Sequence, residues 1–296
     1  MTSRPFLFPY LSLAAGVLCL SLSALFIRWS EAPGIVTTLY RMSLATLALA
    51  PFLAHRPGIP SGNKAPLGRV WVWFSLAGGI LAALDHAAWS TSIGYTRVAN
   101  ATLLNNVAPV WVALVAWLAY KERLRWIFWL GLALAVGGVG FMTGTDLLFS
   151  PTLGRGDLLA LVSSLFYAGY YLVTQRARQR LSAGKYMLLA NAFSALVLLG
   201  LCLLMDLPLS GFSGRTYLVF IGAALISQVG GHLSLTYALG HLPVWVVSPT
   251  MVAQPLVTAL LAVPLLGEPI SAIQALGGAA VLAGIYLVNR TAGHPA

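Results

Sequence analysis

Residues Tyr120-Lys121-Glu122-Arg123-Leu124 are echoed, around a shared glutamate, by residues Leu266-Gly267-Glu268-Pro269-Ile270. Each follows a long apolar run interrupted by a proline, Pro109 in one case and Pro255 in the other, and each precedes a glycine-rich run. A shift of 146 residues lays one on the other without gaps. His86 then falls on His232, Gly94 on Gly240, Pro109 on Pro255, Glu122 on Glu268, Gly131 on Gly277 and Gly138 on Gly284. Single coincidences of Gly or Pro carry little weight in a chain with 29 glycines and 16 prolines. A frame that also aligns a His and a Glu carries more. Further upstream, Ser23-Ala24-Leu25-Phe26 resembles Ser163-Ser164-Leu165-Phe166 at a shift of 140. The chain therefore reads as two related halves, residues 1–142 and 157–296, joined by an extracytoplasmic connector over 143–156.

Composition says what surrounds these halves. The 296 residues are 59% hydrophobic and 8% charged, against about 25% charged in soluble domains. So few charges cannot cover a water-exposed surface, and the excess apolar surface must face lipid. A spanning helix needs about 20 apolar residues, and runs of that length predict spans over 7–27, 34–54, 70–93, 98–119, 124–142, 157–175, 186–205, 217–239, 244–265 and 270–289. The fold expected is an all-α integral membrane protein of ten transmembrane helices. The first run resembles a signal peptide but is too long for its apolar region, so it is expected to be retained as the first span.

The net charge of +10 does not point to nucleic acid. Its Lys and Arg residues are scattered between apolar runs, with no basic helix or aromatic-basic platform. With the N-terminus inside, twelve basic residues fall on the cytoplasmic side and four outside, while Arg41 lies within the second span. The positive-inside rule then places both termini in the cytoplasm. Trp71, Trp73, Trp126 and Trp129 follow basic residues and read as interfacial anchors. Five spans per half is an odd number, so equivalent helices must run in opposite directions. The charges agree, because basic 121–125 is matched by 267–271, which carries no Lys or Arg. Inverted repeats are the architecture of many secondary transporters.

Ten spans, a five-plus-five inverted repeat and the ordered pair of passages quoted above resemble the drug/metabolite transporter superfamily, and within it the EamA-type exporters. The glycine-rich final span of each half fits as well, and the resemblance covers essentially the whole chain. It implies a bacterial inner-membrane exporter of amino acids or related small metabolites, with the aromatic and other neutral amino acids foremost. It further implies that spans 1, 3, 4, 6, 8 and 9 line a central cavity. The multidrug-cation exporters of the same superfamily rely on a glutamate in the first helix. Span 1 here carries no acid.

The residues able to carry chemistry are the polar ones at membrane depth, because burying them is costly without a partner or a cavity. At 1.5 Å per residue, Arg41 lies about 10 Å and Asp85 about 12 Å below the outer boundary. His86, Asn105 and Asn106 share this layer. Arg41 and Asp85 read either as a structural ion pair or as contacts for the carboxylate and amine of a zwitterionic substrate. Asp85-His86 could also titrate in proton-coupled export. Toward the cytoplasm, Gln228, His232 and Thr236 recur every four residues on one face, and span 9 adds Ser248, Thr250 and Gln254. Span 6 carries a stripe of Ser163, Ser164, Tyr167, Tyr170, Tyr171 and Thr174. Its tyrosines, with Trp89, suit an aromatic or cationic ligand, although helix–helix hydrogen bonding accounts for the hydroxyls equally well. Pro109 and Pro255 each remove a backbone bond at mid-span and favour a kink.

Cys19 and Cys202 are far apart and read as packing residues, and no metal-ligand spacing accompanies them. There is no Gly-Lys-Ser/Thr phosphate loop, so no cofactor or nucleotide is expected. The partners expected are a small-molecule substrate and membrane lipids, with the chain a monomer or homodimer. The competing reading is an integral membrane enzyme using Asp85-His86 as an acid–base dyad, which lacks a nucleophile beside the pair.

Overall fold

The computed structural model describes residues 7–54, 69–144, 153–267 and 269–292. Glu268, most of the connector, and the basic residues Arg4, Arg56 and Lys64 lie outside the described residues. The elements are α1 (Leu7–Trp29), α2 (Gly34–Ala54), α3 (Arg69–Ser92), α4 (Val98–Asn105), α5 (Ala108–Leu118), α6 (Trp126–Thr143), α7 (Arg155–Arg178) and α8 (Ala183–Leu204). They continue as α9 (Gly214–Gly222), a π-helical segment (Ala223–His232), α10 (Leu233–Leu239), α11 (Val244–Met251), α12 (Gln254–Leu266) and α13 (Ala272–Ala292). With interrupted helices joined, these make ten segments among the described residues, matching the ten predicted spans. Nine are long and apolar enough to cross a membrane. The tenth, α2, is 21 residues long and carries Arg41.

Two segments are broken at mid-span. The α4–α5 break falls at Asn106-Val107 and the α11–α12 break at Val252-Ala253, with Pro109 and Pro255 in the first turn of the following half-helix. A proline there lacks the N–H that would reach the carbonyl four residues back. The chain instead makes tighter turns, with Val107 N bonded to Leu104 O at 3.2 Å and Val252 N to Pro249 O at 3.1 Å. The prolines thus mark interruptions, a step beyond the expected kinks.

The repeat is visible in element boundaries. The 146-residue shift carries the start and end of α4 onto those of α11, and the starts of α5 and α6 onto those of α12 and α13. It also carries Lys121 (φ 56°) onto Gly267 (φ 71°), so both halves turn through a left-handed residue at the same place. The match at a shift of 140 does not survive. Ser23 lies near the end of α1 and Ser163 in the first half of α7, about two helical turns out of register.

The helices gather into two compact units that cut across the sequence halves. Unit 1 comprises residues 1–84 and 172–241, and unit 2 comprises 85–171 and 242–296. In unit 1, α2 packs against α8, and α1 against the π segment. Leu49, Leu181, Tyr186 and Met187 form a core there. In unit 2, α6 lies against α13 and α5 against α11. The α6–α13 seam is made by glycines. A Cβ on Gly131 would stand 2.7 Å from the Gly284 carbonyl oxygen, and one on Gly138 would stand 2.6 Å from that of Gly277. Small residues let backbones approach this closely. The pairing 131 with 284 and 138 with 277 makes these two equivalent helices antiparallel. Of the expected anchors, Trp73 and Trp126 are exposed, whereas Trp71 stacks on Phe74 and Trp129 packs edge-on to Trp117 and Phe128.

Candidate functional site

In unit 2 the break between α4 and α5 collects a chain of polar side chains. Asn105 is the last residue of α4, and Pro109 deprives its carbonyl of an intrahelical donor. Its side-chain amide donates to Asp85 Oδ1 at 3.0 Å and to Ser163 Oγ at 2.6 Å. One carboxamide thus ties α3 to α7. Asp85 is 6% exposed, and His86 Nδ1 lies 3.6 Å from its Oδ2. One residue along α7, Ser164 accepts from the Trp111 indole N–H at 2.9 Å and donates to the Leu161 carbonyl at 2.7 Å. The Tyr171 hydroxyl donates to that of Tyr167 at 2.8 Å, and their ring centroids are 4.5 Å apart. Tyr170 stacks on Tyr167 at 6.4 Å. Tyr170 and Tyr171 are buried, at 4% and 0% exposure, and Tyr167 follows Ser163 by one turn of α7. A buried carboxylate held by a fixed N–H donor, with an aromatic cluster on the helix that its chain reaches, is chemically suited to an ammonium group with an attached apolar or aromatic body.

Each of the other expected residues has surroundings of its own. Trp89 is half-buried, and its carbonyl accepts from the Ser92 hydroxyl at 2.7 Å. Asn106 folds back onto the Thr102 carbonyl at 2.8 Å, apart from the Asp85 chain. Thr174, last of the span-6 stripe, belongs to unit 1, where it meets the Tyr186 hydroxyl at 2.7 Å. Gln254 opens α12 immediately after the second break. Arg41 is in unit 1, 3% exposed, with Nη1 donating to Ser23 Oγ at 2.7 Å. Of the stripe Gln228, His232 and Thr236, the first and last meet α8. Gln228 Nε2 donates to Asn191 Oδ1 at 2.8 Å and the Thr236 hydroxyl to Met187 Sδ at 3.1 Å. His232, between them, is 6% exposed.

Sequence reasoning missed Trp111 and Asn191. An indole N–H or a carboxamide inside an apolar run must find a partner, and that rule singles out both. It does not say which helix supplies the partner. Among the described residues no group of His, Cys, Asp and Glu is large enough to hold a metal ion.

Ten helical segments in two related halves, with broken helices at matching positions, define a multi-pass membrane protein of the transporter class. The chain belongs to the EamA-like transporter family, whose pattern matches it twice, over residues 7–144 and 154–290. It is 25% identical over 254 residues to an uncharacterized transporter of Archaeoglobus fulgidus, covering 84% of this chain and 86% of that one. It is also 25% identical over 262 residues to a probable terminal-alkyne amino-acid exporter of Streptantibioticus cattleyicolor, covering 86% and 83%. A solved crystal structure at 19% identity shares the fold with a TM-score of 0.76, over 97% of this chain and 99% of that one.

Proposed function

We propose that the protein is a secondary active exporter of small zwitterionic metabolites, foremost aromatic and other neutral amino acids. It works by alternating access across a bacterial inner membrane, with both termini cytoplasmic. The observation that carries this reading is the Asp85–Asn105–Ser163 chain at the α4–α5 break, which reaches the helix that carries Tyr167, Tyr170 and Tyr171. Discontinuous helices are where transporters build midplane sites. In this reading Asp85 receives the substrate ammonium, and Tyr167, Tyr171 and Trp89 receive its side chain. Asn105 holds Asp85 in place, and Gln254, at the second break of the same unit, meets other polar groups of the substrate during the cycle. The amino-acid exporter among the relatives supports the substrate class. The antiparallel α6–α13 pair supports inverted topology.

Proton coupling is favoured by the 3.6 Å approach of His86 to Asp85, because two neighbouring ionisable groups can exchange one proton during substrate release. The test is a counterflow screen across the amino acids in proteoliposomes, with and without a pH gradient. Flux of neutral or aromatic amino acids is expected. Absence of flux for every amino acid sinks the substrate class, and flux indifferent to the gradient removes the coupling role of Asp85-His86. Turnover of a lipid-linked substrate in detergent, with no compartments present, would favour the enzyme reading.

A further inference from the structure

Unit 1 contains a second polar cluster that the transport reading does not use. Asn191 and Ser194 lie three residues apart on α8, hence on one face, and are 2% and 1% exposed. Gln228, 2% exposed, reaches them from the π segment through its bond to Asn191 Oδ1. That bond uses half of each carboxamide. The other halves, Asn191 Nδ2 and Gln228 Oε1, have no protein hydrogen-bond partner among the described residues, and neither does Ser194 Oγ. Exchanging O and N in both amides reproduces the same imbalance of one orphan donor and one orphan acceptor, and exchanging one sets like groups against each other. The imbalance therefore does not depend on how the amides are oriented.

Orphan donors and acceptors this deep in a membrane protein are costly, and this set is selective about what relieves it. An anion would meet the Gln228 carbonyl oxygen, and a cation would meet the Asn191 N–H groups. A small neutral molecule that both donates and accepts suits both, and Ser194 supplies the third contact typical of a buried water. The surroundings seal the place. Gly79 of α3 packs so closely on α8 that a Cβ there would stand 2.6 Å from the Ala190 carbonyl oxygen and 3.0 Å from Ser194 N. The facing backbone is π-helical, a wider turn found mostly where function requires it.

We propose that the seam between α8 and the π segment holds one buried water molecule, bound by Asn191 Nδ2, Gln228 Oε1 and Ser194 Oγ. It accepts from Asn191, donates to Gln228, and bridges helices whose direct bond satisfies only half of each amide.

Two measurements test this. An experimental structure of the full chain at about 2 Å, determined in sodium chloride and again in choline chloride, is expected to show the same single density peak within hydrogen-bond distance of Asn191 and Gln228. A peak lost in choline would mean a cation and overturn the proposal. So would an absent peak with all three atoms bonded to protein groups. The second measurement is hydroxyl-radical footprinting by X-ray radiolysis, in which a bound water labels its neighbours. Met187 is 1% exposed and one helical turn from Asn191. It is expected to be oxidised in the wild type, with at least a threefold loss in the double variant Asn191→Leu, Gln228→Leu. Equal labelling in both proteins, or none in the wild type, overturns the proposal. A double variant that fails to fold leaves the density measurement and the wild-type labelling to decide.

Discussion

Gly137 and Gly138 are neighbours on α6 and make a matched pair of alanine substitutions. A Cβ on Gly138 would stand 2.6 Å from the Gly277 carbonyl oxygen and 2.8 Å from Val281 N, both backbone atoms of α13. Neither can rotate aside, so α13 must retreat by several tenths of an ångström along a seam that also includes Gly131 and Gly284. A Cβ on Gly137 meets nothing within 4 Å. Both changes gain about 1 kcal/mol of helix propensity. Gly138→Ala also incurs an overpacking cost of about 1–3 kcal/mol and loosens the dispersion contacts of the whole seam. Gly137→Ala is therefore expected to be up to about 1 kcal/mol more stable, and Gly138→Ala up to about 2 kcal/mol less stable. The two variants differ by the overpacking cost of about 1–3 kcal/mol, so at roughly 2–4 °C per kcal/mol their melting temperatures should differ by about 2–12 °C. Intrinsic tryptophan fluorescence in detergent measures this. Adding Gly277→Ala to Gly138→Ala should cost less than the sum, because separated helices admit the second methyl freely. If Gly138→Ala melts with or above Gly137→Ala, the backbone contact between α6 and α13 is not there.

Three further outcomes follow from particular residues. Asn105→Leu removes the N–H donor to Asp85 and should lower transport efficiency about tenfold or more while the protein still purifies as a folded species. Unchanged flux would remove Asn105 from the site. Lys121 has φ 56°, a conformation that costs a non-glycine residue about 1 kcal/mol, so Lys121→Gly should raise the melting temperature by about 2–4 °C, and a fall would contradict the assigned turn. Glu31, between α1 and α2, is held below the ordinary glutamate value by the Ser213 hydroxyl first, against a smaller desolvation effect. The Ser213 backbone, Thr216 and Arg215 add to the lowering. A depressed carboxyl contributes stability that is present above the ordinary value and is lost as pH falls through the lowered one. The wild type should therefore lose stability relative to Glu31→Gln as pH drops below 4.5, and parallel pH profiles would refute the link.

The hydrophobic-to-charged ratio, the apolar run lengths and the 146-residue frame determined the membrane class, the ten spans and the two halves. These properties were legible because lipid forces each segment to satisfy its own backbone, so every span leaves a local trace. The frame even located both breaks, since Pro109 and Pro255 act through their own missing N–H. Which side chains meet was another matter. Asn105 joining Asp85 to Ser163, Trp111 finding Ser164, and Gln228 finding Asn191 each depend on helices remote in sequence. The frame repeats Gly138 as Gly284 and replaces Gly137 by Ala283, but that Gly138 is the one facing α13 is a fact of packing. The grouping of helices into units of 1–84 with 172–241 and 85–171 with 242–296 also cuts across the duplicated halves. A repeat records ancestry along the chain, whereas packing pairs a helix with whatever face fits it, and only the tertiary structure contains that second relation.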